Sequence, residues 1–305
     1  MMMEDLEKAL AQAGARIQAA LNAPAFSTQR PEHLYHFTDH KGLLGILTTN
    51  ELWASLANTM NDSTECRLWR EELSFCLRMR LLQTTHLDAD FVAAALETNR
   101  SLPPFDSFDA RHYIVSFCTD QVSALHWLHY GRSGSGVAIR FKTEHLANRF
   151  PFNLLPVVYD ADARRRIYAS VLNPVDALVG EWASQMSLDF TQSAAVSLIT
   201  GYLSYAAPQF KDDSFKSEQE WRLALGEVHR NDADGSDVGP PLFQATAAKG
   251  IVPYRPIKFD PAAIDEIVVG HDCEYESTRR TIGLLLESLK REVTIRRSGV
   301  PVTAR

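Results

Sequence analysis

The chain has 305 residues, 45% of them hydrophobic and 23% charged, the proportions of an ordinary folded protein rather than of a collagen-like, low-complexity or disordered one. Lys and Arg total 31 against 38 Asp and Glu, a net charge of −7 that argues against a general nucleic-acid coat and leaves only a local basic groove open. At this length about three quarters of the unfolded surface is buried on folding, so no disulfide or metal staple is required.

Periodicity then divides the chain in order. Leu6, Leu10, Ala13, Ile17 and Leu21 predict an amphipathic helix over 4–22, followed by a linker that ends at Pro31. His33 to Thr38 is aromatic and β-favouring and reads as a strand. Thr38 or Asp39 then caps a helix whose buried stripe is Leu43, Leu44, Ile46 and Leu47. Leu52 to Ala57 reads as a strand, and Asn61-Asp62-Ser63 as the cap of a helix over about 63–82. A further helix fits 88–99, before the Pro103-Pro104 break. Tyr113 to Cys118 is a strand, Val122 to Tyr130 a helix, and Gly136 to Phe141 and Leu154 to Tyr159 are strands. Residues 161–207 read as mostly helical. Trp221 to Val228 is a strand, 230–250 a polar loop, Ile264 to Val269 a strand, Ser277 to Lys290 a helix and Val293 to Arg296 a closing strand. Mixed elements without a regular βαβ period predict an α+β fold: largely antiparallel sheets with flanking helices. The expected organisation is a helix and linker over 1–30, then a single domain over 31–305 with a helical insertion at 161–207.

The four cysteines, Cys66, Cys76, Cys118 and Cys273, form no CxxC pair, and with no signal peptide or 18-residue apolar run in view the expectation is a cytoplasmic chain with free thiols and no membrane contact. The glycines of Gly131 to Gly136 follow a helix and precede a strand, the reverse of a phosphate-cradling order, and read as a connection. His126 and His129 share a helix face at a spacing open to metal, but no third ligand accompanies them and packing is the plainer reading. Glu218, Glu220 and Arg222 carry the strongest signal. On an extended chain both acids share one face while Trp221 packs on the other. Such a pair is either a solvated strand end or a site that binds hydroxyls or stabilises developing positive charge. His36, between Tyr35 and Phe37, is either a core histidine or one that faces a ligand.

Taken together the motifs resemble a large bacterial family that carries only a domain-of-unknown-function label. The residues concerned are His36-Phe37-Thr38, Leu52-Trp53, Asn61-Asp62-Ser63-Thr64-Glu65, Ser116-Phe117, Trp127 to Gly131, Gly136 to Ile139 and Glu220-Trp221-Arg222, over about 33–270. The His–aromatic–Thr strand and the late strand-borne Glu are also similar to ADP-ribosyltransferase-like proteins. That resemblance implies an enzyme with NAD as co-substrate and no metal. It would transfer ADP-ribose to a protein or nucleic-acid acceptor, as a toxin or defence effector, or hydrolyse NAD. Glu220 would be the carboxylate that stabilises the oxocarbenium ion, and Glu218 would help activate the acceptor. His36 and Thr38 would hold NAD, and Tyr130 or Trp127 would stack on nicotinamide. Arg222 would pair with pyrophosphate or brace Asp62 or Glu65. Asn61, Asp62, Glu65 and Ser116 would be substrate-side or structural, Asn61 and Asp62 equally well as helix caps. The alternatives are a non-catalytic nucleotide- or partner-binding module of the same fold and a metal-dependent nuclease using Glu218, Glu220, Asp62 and a histidine. Arg164-Arg165-Arg166 and the basic stretch from Lys290 to Arg297 are the clusters through which an acceptor's phosphates would be met.

Overall fold

The computed structural model describes residues 11–12, 14–17, 29–60, 67–100, 111–120, 123–146, 153–227, 240–246 and 250–300. In chain order the elements are β1 (His33–Thr38), α1 (His40–Thr49), β2 (Glu51–Leu56), α2 (Leu68–Arg78), α3 (Ala89–Arg100), β3 (Arg111–Cys118), α4 (Ala124–His129), β4 (Val137–Lys142), α5 (Thr143–Leu146), β5 (Asn153–Pro156), α6 (Ala161–Trp182), α7 (Leu188–Ala206), β6 (Glu220–Glu227), β7 (Leu242–Thr246), β8 (Gly250–Lys258), β9 (Ile264–Val269), α8 (Tyr275–Ser288) and β10 (Thr294–Arg297). The result is a mixed α/β architecture around a largely antiparallel open sheet, in which, among the described strands, only the β9–β10 pair is parallel.

Local chemistry starts the elements where the sequence marks them. Asp39 is extended and its Oδ1 accepts the Gly42 N–H at 2.7 Å, while Asn50 closes α1 in the left-handed region at φ 58°. Ser123 caps α4 and Asp160 caps α6 in the same manner. Leu43, Ile46 and Leu47 face the core, but Leu44, expected beside them, is 50% exposed because it lies about a quarter turn off that stripe. α2 is shorter than 63–82, since Arg80 turns left-handed at φ 53° just past its end; the Asn61-Asp62-Ser63 cap lies outside the described residues. The loop expected over 230–250 contains β7, and β8 follows it unannounced. Pro253 and Pro256 interrupt the β8 pattern, and prolines within a run argue against a strand.

Strand β3 organises the sheet. Along one edge it pairs with β6 over its whole length, from Arg111 opposite Glu227 to Cys118 opposite Glu220, and β5 lies outside β6. Its other edge is shared. β1 touches it at Tyr35 opposite Cys118, and β2 touches it at Ser55 opposite Ile114 and Leu56 opposite Tyr113. Beyond β1 come β4, β9 and β10; beyond β2 come β8 and β7. The sheet therefore forks over Val115–Phe117, with one arm on each side of the gap.

One face of the sheet carries Leu34, Leu52, Val115, Phe117, Ile139 and Ile267 against α1 and α8. On the opposite face Ile114 and Ala224 join a second core built by α2, α3, α6 and α7, with Trp69, Leu73, Ile167 and Leu203 fully or almost fully buried. A histidine ties this helical layer to the sheet. His112 of β3 donates from Nε2 to the Ser204 carbonyl of α7 at 2.7 Å, and it is buried. Burial, opposed by that hydrogen bond and helped by Arg222, lowers its pKa to about 4.

A histidine held neutral stabilises the fold above its unfolded pKa of about 6.5, and that stability drains away as pH falls from there to about 4. Denaturant unfolding across this window should show a loss on the order of 3 kcal/mol from His112 alone. A His112→Gln variant, which keeps a donor and cannot titrate, should show a shallower slope. The slope will not vanish, because His36 and His126 are shifted in the same direction.

Candidate functional site

The fork holds a cavity of about 380 Å³, lined among others by His36, Trp53, Ser116, Tyr130, Lys211, Glu218 and Glu220. Its size and mostly apolar wall with a few convergent polar groups are those of a small-molecule site. β1 and β3 part just past the Tyr35–Cys118 contact, and the His36 ring fills the place of the missing ladder. Its Nδ1 donates to the Ser116 carbonyl at 3.0 Å. A carbonyl only accepts, so Nδ1 carries the proton and Nε2 is left as an acceptor. Burial, against the pull of that carbonyl, lowers the His36 pKa and keeps the ring neutral.

Glu218 and Glu220 do meet, though not by strand alternation. Glu218 ends the 3-10 stretch Asp213–Glu218, Gln219 turns left-handed at φ 44°, and the strand begins only at Glu220. The two carboxylates converge on Lys211, whose Nζ donates to Glu218 Oε2 at 2.5 Å and to Glu220 Oε2 at 2.9 Å. Arg222, wholly buried, adds a fork: Nε to Glu220 Oε1 and Nη2 to Oε2, both at 2.9 Å, with Nη1 donating to the Pro208 carbonyl at 2.7 Å. Arg222 is thus committed to Glu220 and is not presented to a phosphate. Burial disfavours the charged Glu220 carboxylate, but Arg222 and then Lys211 outweigh it and hold the pKa at about 2. Tyr130 donates from its hydroxyl to Glu218 Oε1 at 2.8 Å.

Lys211 itself is anchored from the helical layer. Arg164 of α6 donates from Nη1 to the Lys211 carbonyl at 3.0 Å and to the Tyr159 carbonyl, and its Nε pairs with Glu72 of α2 at 2.6 Å. Tyr159 in turn accepts the Glu220 backbone N–H on its hydroxyl. Arg164 is 5% exposed and Arg165 pairs with Asp162, so the first two arginines of the expected phosphate-meeting run are engaged within the fold. Lys211 went unread in the sequence because a single lysine between two short turns has no periodic or motif signature.

His126 also lines the cavity. Its Nε2 donates to the Glu218 carbonyl at 3.0 Å, and its ring stacks on Phe37 at 5.5 Å, whereas His129 packs beside Tyr130. Ser116 Oγ, beside the Glu220 carboxylate, and His126 Nδ1 are buried and meet no hydrogen-bond partner of full geometry among the described residues. Trp127 lies off the cavity, fully buried with its ring 4.9 Å from Phe37. Thr38 is also off it, its Oγ1 against Gly42, where a Cβ would come within 2.0 Å. Asn61, Asp62 and Glu65 fall outside the described residues. The glycine connection is a packed turn: Gly134 adopts φ +90° and a Cβ there would strike the His271 ring.

Comparison with known proteins adds one finding. Residues 126–223 carry a DUF2971 domain, a family described as a protein of unknown function. The DUF2971 segment is about a third of the chain and runs from His126 to Leu223, so it takes in Tyr130, Lys211, both carboxylates and Arg222 but not His36 or Trp53. No curated protein and no solved structure matches the chain, and the likeness to ADP-ribosyltransferases rests on the sequence motifs alone. Among the described residues no helix is long and apolar enough to cross a membrane.

Removing the ammonium from this cluster leaves two buried carboxylates with the single guanidinium of Arg222, which is forked to Glu220. Lys211→Met should therefore cost about 3–5 kcal/mol in denaturant unfolding. Adding Glu218→Gln to it should return part of that loss, because the carboxylate that Arg222 does not pair with is then neutral.

Proposed function

We propose that the fork pocket receives the nicotinamide–ribose half of NAD and breaks the bond between them, passing ADP-ribose to a macromolecular acceptor or to water. The observation that carries this reading is the convergence of His36 from the first strand, Glu218 from the 3-10 turn and Glu220 from the start of the sixth strand on one aromatic-walled cavity. Its volume suits a ring and a ribose rather than a whole dinucleotide. The wall is rich in acceptors: Glu218, His36 Nε2 and His126 Nδ1, which meets no partner among the described residues. Sugar hydroxyls and a carboxamide NH₂ are the donors that would satisfy them.

The roles of the two acids follow from their lone pairs. Glu220 Oε2 already accepts from Lys211 and Arg222, and its other oxygen accepts from Arg222, so this carboxylate holds the cluster together. Glu218 accepts one bond on each oxygen among the described residues and keeps acceptor capacity toward the cavity. In this proposal Glu218, rather than Glu220, touches the ribose and stabilises the positive charge that develops as the electron pair of the C–N bond leaves on nicotinamide. The acceptor oxygen then forms the new C–O bond and releases its proton to solvent, while nicotinamide departs as the neutral base. Lys211 and Tyr130 fix the carboxylate beforehand, so little reorganisation is needed.

Purified chain incubated with NAD should release nicotinamide, read by mass spectrometry. Glu218→Gln should lower the rate on the order of 10²–10³-fold. NAD binding without release, seen by calorimetry, would point to the non-catalytic binding module. The absence of both binding and release would overturn the reading.

A further inference from the structure

The cavity continues past the fork onto the outer face of the β2–β8–β7 arm. Trp53, Ser55, Gln244 and Val252 line it there. Pairing places them together: Ser55 lies opposite Tyr254, Gln244 opposite Val252, and Leu242 opposite Tyr254. Trp53 is the exception among the five tryptophans. It is 45% exposed, whereas Trp69, Trp127, Trp182 and Trp221 are buried. Its indole is supported by the Tyr254 ring, which is 8% exposed and stacks with it at 4.4 Å and 26° between planes.

An exposed indole forgoes apolar burial, and a stacked pair at the mouth of a polar-ended pocket is a surface that a third flat ring completes. Stacking on an aromatic platform is how proteins hold nucleobases without reading a particular one. We propose that Trp53 and Tyr254 form a nucleobase subsite, taking the purine of a nucleotide whose other end enters the fork. Gln244, on the rim, offers both a donor and an acceptor to the base edge. The subsite rests on the reading that the fork binds a nucleotide, but its affinity for a base needs no chemistry at Glu218.

Adenosine monophosphate and nicotinamide mononucleotide, titrated separately into the full chain, test it. Trp53 is the tryptophan open to a quencher, so acrylamide quenching of the intrinsic fluorescence reports on it directly. Adenosine monophosphate should shield that emission from acrylamide, and the shielding should be absent in Trp53→Phe, whose smaller ring preserves the strand. By calorimetry Trp53→Ala should bind adenosine monophosphate about 5- to 150-fold more weakly. Nicotinamide mononucleotide should bind both forms alike. Equal affinity of the wild-type and Trp53→Ala chains for adenosine monophosphate, or no binding of it by the wild type, would overturn the subsite and leave the fork assignment standing. Loss of nicotinamide mononucleotide binding alone would sink the fork assignment and leave the platform.

Discussion

Two anions and two cations, each less than a tenth exposed, are locked together at the inner end of the fork: Glu218, Lys211, Glu220 and Arg222. Each of these ions costs several kcal/mol to take out of water, and their attraction offsets that cost only when geometry is good and every remaining lone pair is met. The surrounding structure supplies the geometry. Arg222 lies on β6, paired to β3 through Ser116, so the sheet fixes its depth. Lys211 lies on an irregular segment held by the bridge of Phe210 to Val158, and Arg164 adds to it by gripping the Lys211 carbonyl from α6 while Glu72 neutralises Arg164 in turn. The helical layer is therefore tied to the pocket by a chain of ion pairs and carbonyl contacts rather than by apolar packing alone.

The fork raises a second problem and solves it with the same economy. Where β1 and β2 part, the β3 backbone loses its ladder on that edge, and an unpaired buried carbonyl is expensive. His36 answers at Ser116, at the expense of its own protonation. One side chain thus closes the sheet electrically while leaving it open sterically, which gives a cavity in the middle of an otherwise continuous hydrogen-bonded layer.

Much of this was legible in the sequence. β1 and β9 run where residue type put them, and of the two candidate caps Thr38 and Asp39 it is Asp39 that caps α1. Glu218, Glu220 and Arg222 were visible as a cluster because acids and a guanidinium crowded beside a buried tryptophan are hard to place otherwise. Their arrangement was not visible. Alternation assigns Glu218 to a strand face, but the left-handed turn at Gln219 brings it round by another route, and Arg222 serves the neighbouring acid instead of a phosphate. β7 and β8 escaped because prolines and glycines mask a strand whose pairing is decided by partners far off in the chain. Lys211 escaped because its importance is wholly tertiary. Trp53 stood in a recognised Leu-Trp pair, but only the ring beneath it distinguishes a platform from a core residue.

A strand that pairs with one neighbour on one edge and with two on the other has an unusual mechanical position. β3 is the common root of both arms, and between their points of attachment only Val115, Ser116 and Phe117 intervene. Each arm is internally cross-linked by its own ladder. The opening between them is accordingly as long as three residues of one strand, and α1, packed against both arms, spans it on the core side.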